Sequence, residues 1–366
     1  EGKKDGSGAE IGCALGARAF SETKINEFIA TARITAIGEG CFENCPYLSK
    51  AVIGENVKEL GDRAFYGDAE LNDVSFAEIT ENGAVYNAIS VIGRESFFGT
   101  GITEFNVTVA DGLVVKQDAF ASAALQTVSI TSVGNVVAEN GAFGGNSSLR
   151  TVAVLSTENL TVGEKVFFST GAMTRLSLKA NVITLADGFA AGASELGDGF
   201  EFEEKDATKA NYFFDTEEKV LFNKEKTEFV YYPAGKTGAT FTLEENVLAV
   251  RPYAFYGADG LTGIIVKGSA VTIGENCFAE TGSNLKFYVP ADKVTEYENA
   301  WRTKGNVLAD ETVADGLVLT LLSSGEYSVT GYLGEKTKVE INGSVVGDDG
   351  KEYAIVSVGE NAFGNN

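Results

Sequence analysis

The chain has 366 residues, 44% of them apolar, so it can bury a sizeable core; its 29 basic residues are outnumbered by 52 acidic ones, for a formal charge of −23. Such a surface argues against nucleic acid as a partner and disfavours an anionic membrane face, since both need basic groups. The absence of any His removes Ser-His-Asp, Cys-His and His-ligated zinc chemistry together, and no apolar stretch approaches the roughly 18 residues of a membrane span.

The chain opens at Glu1, not Met, on a polar stretch with no visible signal peptide, which reads as a trimmed or processed start. One phrase then recurs. It is clearest from Leu60 to Phe76: an apolar residue and Gly, a small residue followed by Phe, then Leu71-x-x-Val74-x-Phe76. Anchors fall at Phe20, Phe42, Phe65, Phe97, Phe120, Phe143, Phe167, Phe189, Phe255, Phe278 and Phe363, and seven of the ten intervals are 22 to 24 residues. That period lies within the range of leucine-rich repeats. A coil of such a solenoid cannot bury its own apolar face, so like must stack on like. The phrases ending in strict alternation, such as Leu125-x-x-Val128-x-Ile130, predict half-buried strands. The run around each Phe is too short for a long helix and reads as a single helical or 3₁₀ turn.

In chain order, residues 1–202 are expected to form the solenoid, with 1–34 as its N-terminal cap and about nine extra residues in a bulging loop within 77–90. Residues 203–247 carry Tyr212-Phe213-Phe214, Lys219-Val220-Leu221-Phe222 and Glu228 to Tyr232 between polar turns, the pattern of an inserted β-meander. Residues 248–310 return to the repeat and include one amphipathic helix at 290–304, with Val294, Tyr297 and Trp301 on one face and the Trp pinning it to the solenoid. Residues 311–366 are β-rich, with strands expected around Leu317, Tyr327, Val339 and Tyr353, and return at Phe363 to a repeat that stops three residues later, as if the natural protein continued. With the inserts counted as filled, about fifteen coil lengths separate Phe20 from Phe363, or on the order of 70 Å at ~4.8 Å per strand.

The composite phrase resembles the BspA-like leucine-rich repeats of bacterial surface proteins, best at Ile37 to Ile53, Leu60 to Phe76, Val250 to Val266 and Ile273 to Val289. The resemblance implies a curved solenoid exported to the cell surface, with roles in adhesion or host contact. It carries no catalytic residues.

Chemistry beyond binding finds little support. Cys41 and Cys277 sit in the small-residue column before the Phe, Cys45 in the turn, and Cys13 where other copies carry Val or Leu, so all four read as buried structural thiols and not as a disulfide framework or a metal site. Paired carboxylates could run glycoside hydrolysis, although an acidic surface holds such pairs by necessity. Gly235-Lys236-Thr237 lacks the upstream Gly of a phosphate loop. Gly347-Asp348-Asp349-Gly350 lacks the spaced ligands of a calcium loop and reads as a hairpin turn. No cofactor or metal is expected.

The candidate site is the face that the strands turn away from the core: Asp73, Glu104, Thr127, Thr151 and Arg175 in one column, Ser75, Asn106, Ser129, Ala153 and Ser177 in the next. An exposed aromatic platform at Tyr231 and Tyr232 is the alternative, although half-buried packing within the meander is the stronger reading of these two side chains. The leading function is a non-enzymatic exported or surface protein that binds a protein or glycan. The alternatives are a structural spacer or recognition module of a larger surface protein, and a carboxylate-type glycoside hydrolase.

Overall fold

Alternation at the end of each phrase produces strands whose apolar residues point inward. Glu104–Val109, Thr127–Ser132, Thr151–Ser156, Arg175–Ala180 and Phe200–Glu204 pair in parallel as one five-stranded sheet, and in Glu104–Val109 exposed and buried residues alternate without a break. A second five-stranded parallel sheet is formed by Val91–Ile92, Leu113–Val115, Val136–Ala138, Asn159–Val162 and Val182–Leu185. Each coil here therefore holds two strands where the periodicity predicts one. Strands such as Leu113–Val115 are three residues long, too short to display a period of two. The computed structural model describes residues 12–238 except 82, 240–289 except 269, 270 and 284, and beyond them 293, 297, 301, 306–307, 311–314, 316–322, 326–334, 336, 338–341, 343–346 and 352–364.

The third side of the coil, around the anchor Phe, is a run of overlapping turns without helix. In the Phe65 coil the N–H groups of Ala64, Tyr66 and Asp68 donate to the carbonyls of Gly61, Arg63 and Phe65 at 3.3, 3.1 and 3.4 Å. Arg63 and Gly67 sit at φ of 58° and 76°, and Glu95, Gly99, Asp118 and Ser122 repeat the pattern. A left-handed residue other than Gly costs roughly 1–2 kcal/mol. What holds it is the next coil: the N–H groups of Arg63, Phe65 and Gly67 donate to the carbonyls of Arg94, Ser96 and Phe98 at 2.7, 2.8 and 2.9 Å. The Gly of the phrase has a steric reason. A Cβ on Gly61 would lie 2.5 Å from the carbonyl carbon of Gly38, and one on Gly93 would lie 2.5 Å from the same atom of Gly61. Three backbones touch there, and no side chain fits.

Inside, the anchors form a continuous stack. Ring centroids from Phe20 through Phe42, Phe65, Phe97, Phe120, Phe143 to Phe167 are 5.0 to 5.7 Å apart with interplanar angles of 4° to 10°. That spacing is close to the ~4.8 Å between strands and within the range of favourable offset stacking. Beyond the inserted hairpins the column resumes with Tyr232, Phe255 and Phe278, at 5.2 Å per step.

Three residues after the Phe runs a buried polar column that periodicity alone did not single out. Thr100 and Thr170 donate their hydroxyls to the carbonyls of Phe97 and Phe167 at 2.9 and 2.8 Å. Cys45 Sγ donates to the Phe20 carbonyl at 3.0 Å, and Asn146 Nδ2 to the carbonyls of Phe120 and Phe143, both at 2.8 Å. Asp68 occupies the same place, fully buried. Its Oδ1 accepts the Cys45 N–H at 2.6 Å, while its Oδ2 has no partner. Burial pushes its pKa up to about 8, against the opposing Cys45 hydrogen bond and with a smaller contribution from Glu43.

Several expectations are corrected. The extra residues after Phe76 form no loose loop but an antiparallel hairpin of Glu78–Glu81 with Ala84–Asn87; Gly83, at φ of 83°, supplies the reversal that Asn-Gly favours. Cys13 is exposed, unlike the buried Cys41, Cys45 and Cys277, because its strand has a neighbour on one side only among the described residues. The solenoid has about 12 turns and not fifteen, since Glu311–Ala314, Leu317–Leu321 and Tyr327–Tyr332 pair antiparallel in a sheet of their own. There Ser344–Val346 pairs with Glu352–Val358, while 339–341 lies in no strand. Phe363 does not join the stack: it is 37% exposed and meets Tyr332 at 5.6 Å.

Antiparallel pairing of Tyr212–Asp215, Val220–Asn223 and Glu228–Tyr231 precedes a parallel return to Ala249–Val250. Of the helix expected at 290–304, Lys293, Tyr297 and Trp301 are described and the rest lies outside the described residues, as do Gly347 to Gly350. The Tyr297 N–H donates to the Lys293 carbonyl at 3.1 Å. Trp301 is fully buried, 5.0 Å from Phe287 and 6.0 Å from Phe278.

Phe143→Ala should cost roughly 3–5 kcal/mol through lost burial and a cavity, read by denaturant unfolding; a wild-type midpoint would remove the Phe column from the core. Asp68 gives a pH signature. Its folded-state pKa of about 8 lies above the ~3.9 of a free carboxyl, so its stability is fully present below about pH 4 and is lost as pH rises toward 8, by at most ~1.4 kcal/mol per unit. Asp68→Asn can make the bonds that Asn146 makes, so its advantage over wild type should grow from pH 5 to 8 and level off above. Parallel melting profiles across that range would contradict the buried-acid assignment.

Candidate binding face

The long-strand sheet brings most of the candidate residues into register. Glu104 pairs with Thr127, Thr127 with Thr151 and Thr151 with Arg175. Asn106, Ser129, Ala153, Ser177 and Glu201 follow in the next column. Parallel pairing without a register shift makes each column a straight row, one side chain per coil, at the strand spacing of ~4.8 Å. Glu104, Asn106, Ser129 and Arg175 are exposed, and Thr127 and Thr151 are half-buried.

Asp73 and Ser75 are exposed too, but they lie on Asp73–Phe76, which belongs to a three-stranded sheet with Glu27–Ile29 and Lys50–Ile53. The inserted hairpin follows that strand, and the rows do not run through. Across the break Phe76 and Phe105 meet edge to face at 5.7 Å, and Asn87 bridges the two sheets, its Nδ2 donating to the Phe76 carbonyl at 3.1 Å and its Oδ1 accepting the Thr108 N–H at 2.8 Å.

Charges on the face are tied to one another across coils. Arg175 Nη2 lies 2.8 Å and Lys179 Nζ 3.3 Å from the Glu201 carboxylate, and Ser177 Oγ donates to Glu201 Oε2 at 3.0 Å. The Ser177 bond, then the two cations, hold the Glu201 carboxyl below the usual carboxylate range. Ser177 is consequently 8% exposed, which corrects its place among the exposed residues: the Glu201 side chain covers it. Glu201 belongs to the face in its stead; it was missed because the strand Phe200–Glu204 lacks the Leu-x-x-apolar lead. On the earlier sheet Lys50 Nζ and Asp73 Oδ2 lie 2.7 Å apart, and Glu104 accepts from Asn106 Nδ2 at 3.1 Å.

The aromatic platform at Tyr231 and Tyr232 is not exposed. The two residues are 5% and 2% exposed, because they stand in for the anchor Phe of their coil. Tyr231 meets Phe189 at 4.8 Å and Tyr232 meets Phe255 at 5.2 Å, and the Tyr232 N–H donates to the Ala254 carbonyl at 2.9 Å, as an anchor Phe does. Burial raises both phenols, Tyr232 to about 12. Among the described residues no group of three or more Cys, Asp or Glu side chains could hold a metal ion, and no helix is long and apolar enough to cross a membrane.

Comparison with solved structures finds a leucine rich cell surface protein from Faecalibacterium prausnitzii A2-165, at 14% identity over 78% of this chain and 87% of that one, with a TM-score of 0.42. A leucine-rich repeat protein from Bacteroides ovatus ATCC 8483 gives 16% identity, 81% and 68% coverage and a TM-score of 0.39. The pneumococcal vaccine antigen PcpA gives 12%, 77% and 88%, and 0.35. Likenesses of this size support no transfer of function. No curated protein sequence matches the chain. The model of the BspA type leucine rich repeat region, in six copies, matches residues 13–84, 80–196 and 234–306. With well over half of its length so matched, the chain belongs to the BspA type leucine rich repeat family.

Proposed function

We propose that this chain is a non-enzymatic, exported or cell-surface binding protein that holds a protein or glycan partner on the polar face of its long-strand sheet. The observation that carries the reading is the register: two rows of short polar side chains run across consecutive coils at a fixed spacing, over a rigid buried core. Core columns repeat from coil to coil, whereas the outward rows change from Glu104 to Thr127, Thr151 and Arg175. A surface that varies over a constant scaffold suits recognition of one extended partner. Membership of the BspA type family supports a surface location. The buried acid Asp68, sealed in the core, offers nothing to a substrate.

Matrix-protein and glycan arrays identify the partner, and surface plasmon resonance then tests the face. Glu104→Lys combined with Arg175→Glu should weaken binding about tenfold or more, ~1.4 kcal/mol. Both side chains are exposed, so the melting temperature should change little. Unchanged affinity would remove the sheet face from the interaction, and turnover of a polysaccharide would replace the binding reading with an enzymatic one.

A further inference from the structure

In the coils from Phe65 to Phe167 the position after the anchor Phe faces the outside of the turn. Rings occupy that position at Tyr66 and Phe98, stacked at 5.1 Å, and again at Phe168, which meets Tyr256 at 5.8 Å. The two intervening coils carry Ala121 and Gly144 instead. A cavity of about 340 Å³ opens there across three consecutive coils, with Ala121 and Gly144 in its floor and Phe168 in its wall. Its rim is polar: Gln117, Asn140 and Glu164 follow one another in one row, with Asp118 and Lys165 in the next.

The rim is partly held in place and partly unused. Gln117 Nε2 donates to Asp118 Oδ2 at 3.0 Å, and Asn140 Oδ1 accepts the Glu164 N–H at 2.9 Å. Gln117 Oε1 and Asn140 Nδ2 have no partner among the described residues. Lys165 Nζ lies 5.7 Å from the Phe168 ring centroid and 5.0 Å from that of Tyr253, and it forms no ion pair among the described residues. The site thus presents an aromatic face beside free donors, free acceptors and one cation.

We propose that this slot is a second binding site, separate from the sheet face, that takes a neutral pyranose ring of a glycan. The ring's C–H face would lie on Phe168, and its hydroxyls would meet the Gln117, Asn140 and Glu164 row together with Asp118 and Lys165. Each sugar hydroxyl is both donor and acceptor and can use such a mixed rim, whereas an apolar side chain of a partner would leave it unpaired and desolvated. Two carboxylates against one ammonium disfavour an anionic sugar, and the charge of the whole chain, −23, adds to that. The volume stands at the small end of ligand pockets, which begin near ~300 Å³, and suits one ring or two.

The test is calorimetry and saturation-transfer NMR with glucose, galactose, mannose, N-acetylglucosamine and disaccharides of each, with glucuronic acid as the anionic control. At least one neutral sugar should bind with a Kd on the order of 1 mM. Gly144→Phe should abolish that binding by placing a ring on the floor. The substitution needs a small adjustment: a Cβ on Gly144 would lie 3.3 Å from the Gly141 carbonyl oxygen, which must give by a few tenths of an ångström, Gly144 is not in the left-handed region, and other coils carry Tyr or Phe at this place. Asn140→Ala should weaken binding about tenfold, and serves, with Ala121→Phe, if Gly144→Phe does not fold. Glu104→Lys should leave sugar binding unchanged, which separates this site from the sheet face. The proposal is overturned if no neutral sugar binds, if glucuronic acid binds better, or if binding survives intact in the filled variants.

Discussion

The structure depends on one contact made again at each step from Phe20 to Phe167: the anchor Phe amide donates to the carbonyl of the residue before the next anchor, while the two rings stack. Phe42 donates to Ala64, Phe97 to Ala119 and Phe120 to Ala142, at 2.8, 2.7 and 2.8 Å. The hydrogen bond fixes the spacing, and the ring fills the volume that this spacing creates. A small residue before the Phe, a Gly where backbones touch and left-handed residues on either side are all consequences of closing the turn at that distance. The same arrangement makes stability a sum of neighbour-to-neighbour contacts, so a weak coil should be felt by the coils beside it.

Order inside is matched by freedom outside. Since the core columns carry the repeating stack, the outward positions can change from coil to coil. Two kinds of surface result. On the long-strand sheet, rows of short polar side chains cross-link through pairs such as Arg175 and Glu201. On the turns, aromatic side chains line up and then stop at Ala121 and Gly144, which leaves a slot. Both surfaces exist because one coil differs from the next where the fold permits it.

The solenoid was legible in the sequence because its period is carried by a large residue with a small one before it. Much else was hidden for physical reasons. Strands such as Leu113–Val115 are too short to show alternation. Thr100, Asn146 and Asp68 look like turn residues, and only burial shows that they satisfy carbonyls in the core. Tyr231 and Tyr232 could be read from the sequence as packed in the meander or as an exposed platform; their role as substitute anchors needs the neighbouring coils. The register that aligns Glu104, Thr127, Thr151 and Arg175 follows the columns expected from the sequence, but the sequence could not show that the hairpin at Glu78–Asn87 interrupts them, nor that Glu201 covers Ser177. The slot between Phe98 and Phe168 becomes visible only when the position after each Phe is aligned.

Amide hydrogen exchange resolved to single residues, on the wild type and on Phe143→Ala, tests the central claim most directly. If the turn amides hold the coils together, those of Phe42, Phe65, Phe97, Phe120 and Phe143 should be among the slowest to exchange, and the variant should lose protection first in the coils of Phe120 and Phe167, with the loss fading outward. Fast exchange at those amides in the wild type, or an even loss along the whole chain in the variant, would contradict it.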